Sequence, residues 1–402
     1  MTEPEVSIII PVCNGEKYLK ECLDSVAAQT MNNYELICIN DGSTDGTRKI
    51  LEEYQRRDKR VRIINQTNMG YGLTMNRGID EAKGKYIGVV EADDCVDRDM
   101  FRTLSETAEL TRAEVVKADY YEFTGAGRER KLTYMQVAPD KRLYGRVLDS
   151  TATTALFYAV QMTWEGIYLR SFLKKNGIYH NCSPGASFQD NGFWFQVFAR
   201  AKRVCFVNKP LYMYRIDNMA ASTKCSDISK IVRMFAEYDF ILDFLKKNPR
   251  DMGRLYTTYL HFRLDNILSR FFCASAECRK EIALMIRGEL REAAKRPDFS
   301  WELFGGALRK YLEAILTDAE AFADNPPRSI NDICWSEVAG RRYSASIDPN
   351  AAIPPKVIME YLDDIGKPGD AQSCGKRPQE PQRSKPSLAR ETERLERNET
   401  FA

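Results

Sequence analysis

Short apolar runs alternate with amphipathic stretches through the first hundred residues, and that alternation constrains the fold more than any other feature of the chain. Val6–Val12 (VSIIIPV) is a continuous apolar run, as expected of a parallel strand buried on both faces. Residues 16–29 follow with Leu19, Cys22, Leu23 and Val26 on one helical stripe. A second strand is expected over 34–39 (YELICI), and a second helix over 45–54 with Asp45 as its N-cap. The series continues with a strand over 61–64, a helix over 73–82 and a strand over 86–90 (YIGVV). Such a βαβαβαβ order implies an α/β fold with a central, mostly parallel sheet flanked by helices.

Further along, 115–123 (VVKADYYEF) predicts another strand, and the polar, basic stretch 125–149 reads as a surface excursion with room for one hairpin. Helices are expected over 164–175 and 188–198, and short strands over 204–207 and 211–214. From 228 to 323 the periodicity is helical: Phe235, Tyr238, Ile241, Leu242 and Leu245 share one face, and Tyr256, Tyr259, Leu260, Phe262 and Leu264 fill another helix. At about 150 residues per domain, 402 residues suggest two or three units. The expected organisation is an α/β domain over 1–225, a helical extension over 226–365 and a tail over 366–402. That tail has dense charge of both signs and few large apolar residues, so it is expected to be disordered.

Charge and cysteine usage remove several function classes. Lys+Arg 59 against Asp+Glu 57 leaves a net charge of +2, which argues against a dedicated nucleic-acid binder. The two histidines, His180 and His261, are too few for histidine-rich zinc sites and read as structural or helix-face residues. Eleven cysteines without a CxxC pair, behind an N-terminus lacking a basic signal region, point to reduced thiols in a cytoplasm. Cys273 and Cys278 have no histidine near them in sequence and do not suggest a metal. No stretch reaches the length of a spanning helix. Aromatic and basic residues mix along 229–273, including Arg233, Lys246, Lys247, Arg254 and Arg263. Such helices fit peripheral contact with the inner face of the cell membrane, or packing against the first domain or a second subunit; the residues leave both open, together with oligomeric state.

Polar residues cluster where the strands end, and in open α/β sheets ligands bind beyond the carboxyl ends of strands. Pro11, Cys13, Asn14 and Gly15 follow the first strand, and Asn40-Asp41-Gly42-Ser43-Thr44-Asp45 the second. Asp41 is suited to accept from a base or ribose, although the same residues also make turns and caps. Asn68-Met69-Gly70-Tyr71-Gly72, then Asn76-Arg77-Gly78, form a glycine-rich turn opening a helix, which can hold a phosphate on free amides. It is not a dinucleotide fingerprint, because its glycine spacing is wrong and it follows the third strand. Glu91-Ala92-Asp93-Asp94 places three carboxylates at the end of the fourth strand. They repel one another unless neutralised, and a magnesium- or manganese-type cation suits their hard oxygens. An acidic loop capping the next helix is the alternative; convergence with the other loops favours the metal.

In this order and spacing, the clusters resemble the family 2 glycosyltransferases, inverting enzymes of GT-A fold, of the bacterial surface-polysaccharide type. The matching text is VSIIIPVCNGEKYLKECLDSVAAQT, ELICINDGSTDGT, NMGYGLTMNRGIDEAKGKYIGVVEADD, PGASFQDNGFWFQ and YMYRIDNMAAST. It covers roughly residues 5–225, about half of the chain. The resemblance implies a nucleotide-sugar-binding half over 1–105 and an acceptor half over 106–225. Pro11 and Asn14 would border the nucleotide, and Asp41 would hold the base. Gly70, Asn76 and Arg77 would lie along the donor, with Ala92 and Asp93 at its diphosphate. Asp93, with Glu91, would hold Mn²⁺ or Mg²⁺. Asp190 would be the general base, and Tyr214 and Arg215 would close over the diphosphate. Trp194 would either border the acceptor or pack under the helix. Glu91 stands where the family often has Asp, Cys13 where it often has an aromatic residue, and Gln189 where it often has Glu.

The activity so implied is transfer of a sugar from a nucleotide sugar, expected to be a UDP-sugar, to a saccharide or polyprenyl-linked acceptor in cell-surface polysaccharide synthesis. Two alternatives stay open. One is a nucleotide-sugar-binding scaffold without turnover, against which the presence of both Asp93 and Asp190 speaks. The other is a nucleotidyltransferase, which would normally want a basic glycine-rich loop directly after the first strand.

Overall fold

β1 (Val6–Val12) runs parallel to β2 (Tyr34–Asp41) on one side and β4 (Tyr86–Val89) on the other, and every residue of β1 and β2 is buried. Helices cover both faces of such strands, so their residues need not alternate between apolar and polar. The computed structural model describes residues 3–221, 229–272 and 274–326. Cys273 and the tail expected over 366–402 lie outside the described residues.

The sheet has the order β3-β2-β1-β4-β9-β6-β10-β5, with β7 beside β6 and β8 beside β10. Here β3 is Val61–Gln66, β5 Cys95–Val96, β6 Val115–Thr124, β7 Lys131–Met135, β8 Val147–Leu148, β9 Gly166–Leu169 and β10 Val204–Arg215. The longest pairings, β1 with β2, β2 with β3 and β6 with β10, are parallel. Short antiparallel pairings fill between and beside them. Helices α1 (Leu19–Ala27), α2 (Thr47–Arg57), α3 (Tyr71–Glu81) and α4 (Met100–Thr111) make the connections in the first half. α1 starts later than expected because the backbone N–H of Glu16 donates to Asp45 and its carboxylate accepts from Gly46 N. Asp45 accepts from Thr47 N, but the cap position itself is Gly46.

Three expectations need correction. The helix expected over 164–175 is β9 followed by the short α5 (Arg170–Asn176). β9 lies antiparallel between β4 and β6, where two ladders outweigh the local preference of Gly-Ile-Tyr-Leu. The two strands expected over 204–214 form one, β10, whose register against β6 shifts between Val207 and Tyr212. The stretch 125–149 is not only surface: Met135, Val137 and Ala138 are buried at its centre. α6 (Gln189–Arg200) begins close to its expected place.

Beyond β10 come α7 (Ser229–Lys246), α8 (Pro249–Phe271), α9 (Ala276–Ala293), α10 (Gly306–Thr317) and α11 (Ala319–Asp324). The described residues fall into two units: 3–221 with Ala236–Asp251, and 229–235 with 252–272 and 274–326. Most of α7 therefore counts with the sheet, although it follows the boundary expected at 225. Within the second unit, Arg263 lies over the Phe235 ring, and its guanidinium grips both carboxylate oxygens of Glu289. Residues 257–264 are buried all round the helix. Arg263, singled out above for a lipid surface, is therefore occupied within the protein. Among the described residues no helix is long and apolar enough to cross a membrane.

Candidate functional site

The loops after β1 and β2 are knitted together at Asn14. Its backbone N–H donates to Ser43 Oγ at 2.9 Å, and its Oδ1 accepts Thr44 N at 2.8 Å. Asn14 holds a left-handed φ of 53°, which asparagine tolerates better than most residues. Pro11 is buried inside β1, paired with Ile39.

Asp41 ties the third loop to the second. Its Oδ1 accepts Met69 N at 2.8 Å and Gln66 Nε2 at 2.9 Å, and its Oδ2 accepts Gly70 N at 3.0 Å. The exposed Arg77 extends this chain by donating to Gln66 Oε1 at 2.9 Å. Both Asp41 oxygens are thus engaged in holding the glycine-rich turn. Gly70 has a φ of 86°, and a Cβ there would lie 3.0 Å from Gly185 N and 3.1 Å from Gly185 O. Only glycine adopts that conformation so close to another backbone without strain. The next residue, Tyr71, donates its N–H to Gly185 O at 2.9 Å, joining the third loop to the segment that leads to Asp190.

The acidic loop after β4 holds three differently placed carboxylates. Asp94 is buried: Tyr212 Oη donates to its Oδ2 at 2.8 Å and Arg215 N to its Oδ1 at 2.7 Å. Burial pushes the Asp94 carboxyl well above the usual range, with the Asp93 charge adding to the shift. Glu91 accepts from Tyr71 Oη at 2.7 Å. Burial pushes it up to about 8, the charges of Asp93 and Asp190 push the same way, and the Tyr71 hydrogen bond opposes them. Asp93 is half-buried beside Ala92; its Oδ2 accepts Asn218 Nδ2 at 2.8 Å, and its Oδ1 accepts no hydrogen bond from the described residues.

No set of three or more His, Cys, Asp or Glu side chains forms a metal cage among the described residues. A magnesium-type ion does not need one, since it binds through one or two carboxylates together with substrate phosphates and water. Asp93, half-exposed and with an oxygen to offer, fits that donor chemistry, with Glu91 beside it.

Asp190 occupies the first turn of α6, where the helix dipole favours a negative charge. Its Oδ1 accepts the N–H of Asn191 at 3.1 Å, and no side chain among the described residues donates to it. Burial pushes its carboxyl up to about 6, against backbone hydrogen bonds and the Lys117 charge. Phe188, two residues before it, has a φ of 68°. For a bulky residue that conformation costs on the order of 1–3 kcal/mol and is found where the surroundings impose it. Asp190 lies near enough to Glu91, Tyr71, Glu165 and Glu237 for its charge to act on each of them. Tyr71 ties the two parts together, its Oη donating to Glu91 and its N–H to Gly185 O, in the segment before Asp190.

Four more of the expected site residues are engaged by other parts of the protein. Asn76 uses its amide on the backbone of His180: Nδ2 donates to His180 O at 2.9 Å, and Oδ1 accepts His180 N at 2.8 Å. Arg215 is 4% exposed and lies between the rings of Tyr18 and Phe123, each 4.4 Å from its guanidinium. It pairs with Glu21, and its Nε donates to Asp93 O at 2.8 Å, so it braces the acidic loop from behind. Tyr214 stacks on Trp164, which in turn stacks on Tyr212. Trp194 is 2% exposed and packs against Phe157, Phe195 and Phe198, the packing alternative left open by the sequence.

Sequence reasoning missed Tyr71, the burial of Asp94, and the buried pair of Lys117 with Glu165. Lys117 sits mid-strand in an apolar run, and a lone lysine there was the available signal.

The profile described as "Glycosyl transferase family 2" matches residues 7–177. Glycosyltransferase GlyG of Streptococcus pneumoniae is 30% identical over 52% of this chain and 70% of its own length. The chain belongs to glycosyl transferase family 2. The sheet of its first unit, with the helices that flank it, is accordingly of the GT-A fold. Two relatives from Bacillus subtilis bear the names "Uncharacterized glycosyltransferase EpsJ" and "Putative glycosyltransferase EpsH". They are 34% and 31% identical over 53% and 54% of this family member. The match spans about three fifths of each, 61% and 62% of their lengths. The structure of TarS 1-349 from S. aureus in complex with UDP-GlcNAc aligns with a TM-score of 0.49 at 17% identity, covering 80% of this chain and 90% of that one. That likeness is too distant to assign residues.

Proposed function

We propose that the first unit is an inverting glycosyltransferase domain that moves a sugar from a nucleotide sugar, a UDP-sugar in the first instance, to an acceptor hydroxyl. The observation that carries this reading is the link made by Tyr71, which donates its Oη to Glu91 at 2.7 Å and its N–H to Gly185 O at 2.9 Å, in the segment that leads to Asp190. Such a site offers a base for the acceptor on one side and carboxylates for the donor diphosphate on the other.

A sugar hydroxyl is a poor nucleophile at neutral pH, and a positioned carboxylate takes its proton as the new C–O bond forms. Asp190 suits that role, having no salt bridge among the described residues and a carboxyl pushed up to about 6 by burial. The hydroxyl oxygen bonds to the anomeric carbon, and the bond from that carbon to the diphosphate breaks. The electron pair leaves with the nucleoside diphosphate, and the proton passes to Asp190. A single displacement inverts the anomeric centre. Mn²⁺ or Mg²⁺, when bound, would be held by Asp93 with Glu91 beside it and would neutralise charge on the leaving diphosphate.

On the donor side, Asn14, Asp41 and Gly70 shape the nucleotide loops, and Asp41 reaches the base through the turn that it holds. Arg215 acts indirectly, by fixing the backbone of Asp93. The acceptor is a saccharide or a lipid-linked precursor presented at the cytoplasmic face of the membrane.

Isothermal titration of UDP, GDP and CDP, with and without Mn²⁺, tests the donor side on wild type and Asp93→Ala. Metal-dependent binding of UDP that is lost in the variant is the expected result. Asp190→Asn should bind UDP normally and lose on the order of 100- to 10,000-fold in turnover. Failure of every nucleotide to bind under every metal condition would reject the reading.

A further inference from the structure

α7 brings one carboxylate to the start of α6. Glu237 lies beyond the residues matched by the family profile, in the part of α7 that belongs to the first unit. It is 0% exposed. Its Oε1 accepts Gly192 N at 2.9 Å, and its Oε2 accepts Asn181 Nδ2 at 2.9 Å. Gly192 follows Asp190 in α6, and Asn181 stands at the head of the loop before it, so one side chain grips that segment on both sides of Asp190. The approach is close enough to require glycine: a Cβ at 192 would overlap Glu237 Oε1 and lie 2.8 Å from Phe240 Cδ1.

The same segment is held from a second direction. Asn76 on α3 clamps the backbone of His180, the residue before Asn181. Asp190 has no side-chain donor of its own among the described residues, so its place depends on the backbone that carries it.

Stability alone does not account for Glu237. No salt bridge pairs it with a cation among the described residues, and burial, with the Asp190 charge adding to it, pushes its carboxyl up to about 8. A buried carboxylate without a cation is expensive, and an apolar side chain of similar size commonly serves stability better. What the carboxylate supplies, and an apolar group would not, is two directed acceptors, one for the loop and one for the helix.

We propose that Glu237 is a positioning residue for Asp190, locking the loop from Asn181 and the first turns of α6 into the arrangement that presents the base. The proposal rests on the transferase reading of Asp190, while the anchoring itself does not.

The test uses the full chain with Glu237→Leu, Glu237→Ala and Glu237→Gln. Glu237→Leu keeps the bulk but removes both acceptors; Glu237→Gln keeps the shape, its Oε1 accepting Gly192 N and its Nε2 donating to a turned Asn181 amide. Two quantities are read: hydrogen exchange of peptides spanning 180–192 against peptides spanning 34–66, and release of UDP from UDP-glucose, UDP-galactose and UDP-GlcNAc.

In Glu237→Leu, exchange over 180–192 should quicken while 34–66 stays protected. Turnover should fall on the order of 100-fold with donor KM unchanged, as for a misplaced catalytic group. Glu237→Gln should retain most of both. Unchanged exchange in Glu237→Leu overturns the proposal, as does a loosened loop with unaltered turnover, or a Glu237→Gln variant as impaired as Glu237→Leu. If Glu237→Ala fails to fold, the other two variants still decide. Absence of turnover in wild type with all three donors counts against the transferase reading, and the exchange result then judges the anchoring by itself.

Discussion

Asn76 holds both backbone polar groups of His180, accepting its N–H at 2.8 Å and donating to its carbonyl at 2.9 Å. This clasp fixes α3, which rises from the glycine-rich turn, to the segment that carries Asp190. The glycine-rich turn and the segment carrying Asp190 are therefore joined by a side chain that the resemblance would place along the donor. Asn76→Ala leaves two backbone groups without their partner and should cost about 1–3 kcal/mol. Urea unfolding checks the stability, and turnover should fall more than UDP affinity does.

Gly70→Ala places a Cβ against the backbone of Gly185 at a φ of 86°. The strain should cost about 1–3 kcal/mol. Because Gly70 N also donates to Asp41, the same substitution should weaken UDP binding, read by titration beside the melting curve.

Trp194 serves as a test of core against acceptor roles. Trp194→Ala should destabilise by about 3–5 kcal/mol, as for other large-to-small aromatic changes in a core. Trp194→Phe should leave acceptor and donor KM alone while lowering the melting temperature. A selective rise in acceptor KM would contradict the buried placement.

Asp190 has a folded-state pKa of about 6, raised by burial above the ordinary carboxylate range. As a base it must be ionised, so turnover should rise with pH towards a plateau above about pH 6, and Asp190→Asn should remove that limb. The sign for stability is opposite. A raised carboxyl favours the folded state below its unfolded pKa, and this contribution is lost as pH rises through about 6. Asp190→Asn should therefore unfold at higher denaturant than wild type at pH 8, with the difference shrinking towards pH 4.

The first half of the sheet was legible because its signals are local. VSIIIPV and YELICI are apolar runs bounded by turn residues, and α1 shows its stripe within a single helix. β9 was not legible: Gly-Ile-Tyr-Leu carries too few residues for a period, and its strand character comes from β4 and β6 on either side. β10 read as two strands because Asn208-Lys209-Pro210 breaks the apolar pattern, and the register shift lies there.

Within the site, residue type announced chemistry but not partners. The acidic triplet was evident, yet nothing local told that Asp94 is buried under Tyr212 while Asp93 stays half-exposed. The partners come from far along the chain: His180 lies 104 residues from Asn76, and Arg215 lies 122 from Asp93. A buried arginine between two rings and an exposed arginine over a phosphate look alike as letters.

The sequence by itself determined the α/β alternation, the polar loops at the strand ends and the family those loops belong to, because periodicity and turn chemistry act over a few residues. Only the tertiary structure decided that Trp194 is core, that Arg215 and Asn76 brace rather than face outward, and that Glu237 reaches the start of α6. Burial and hydrogen-bond partnership depend on which distant segments meet, and they determine whether a polar side chain is held by the protein or offered to a ligand.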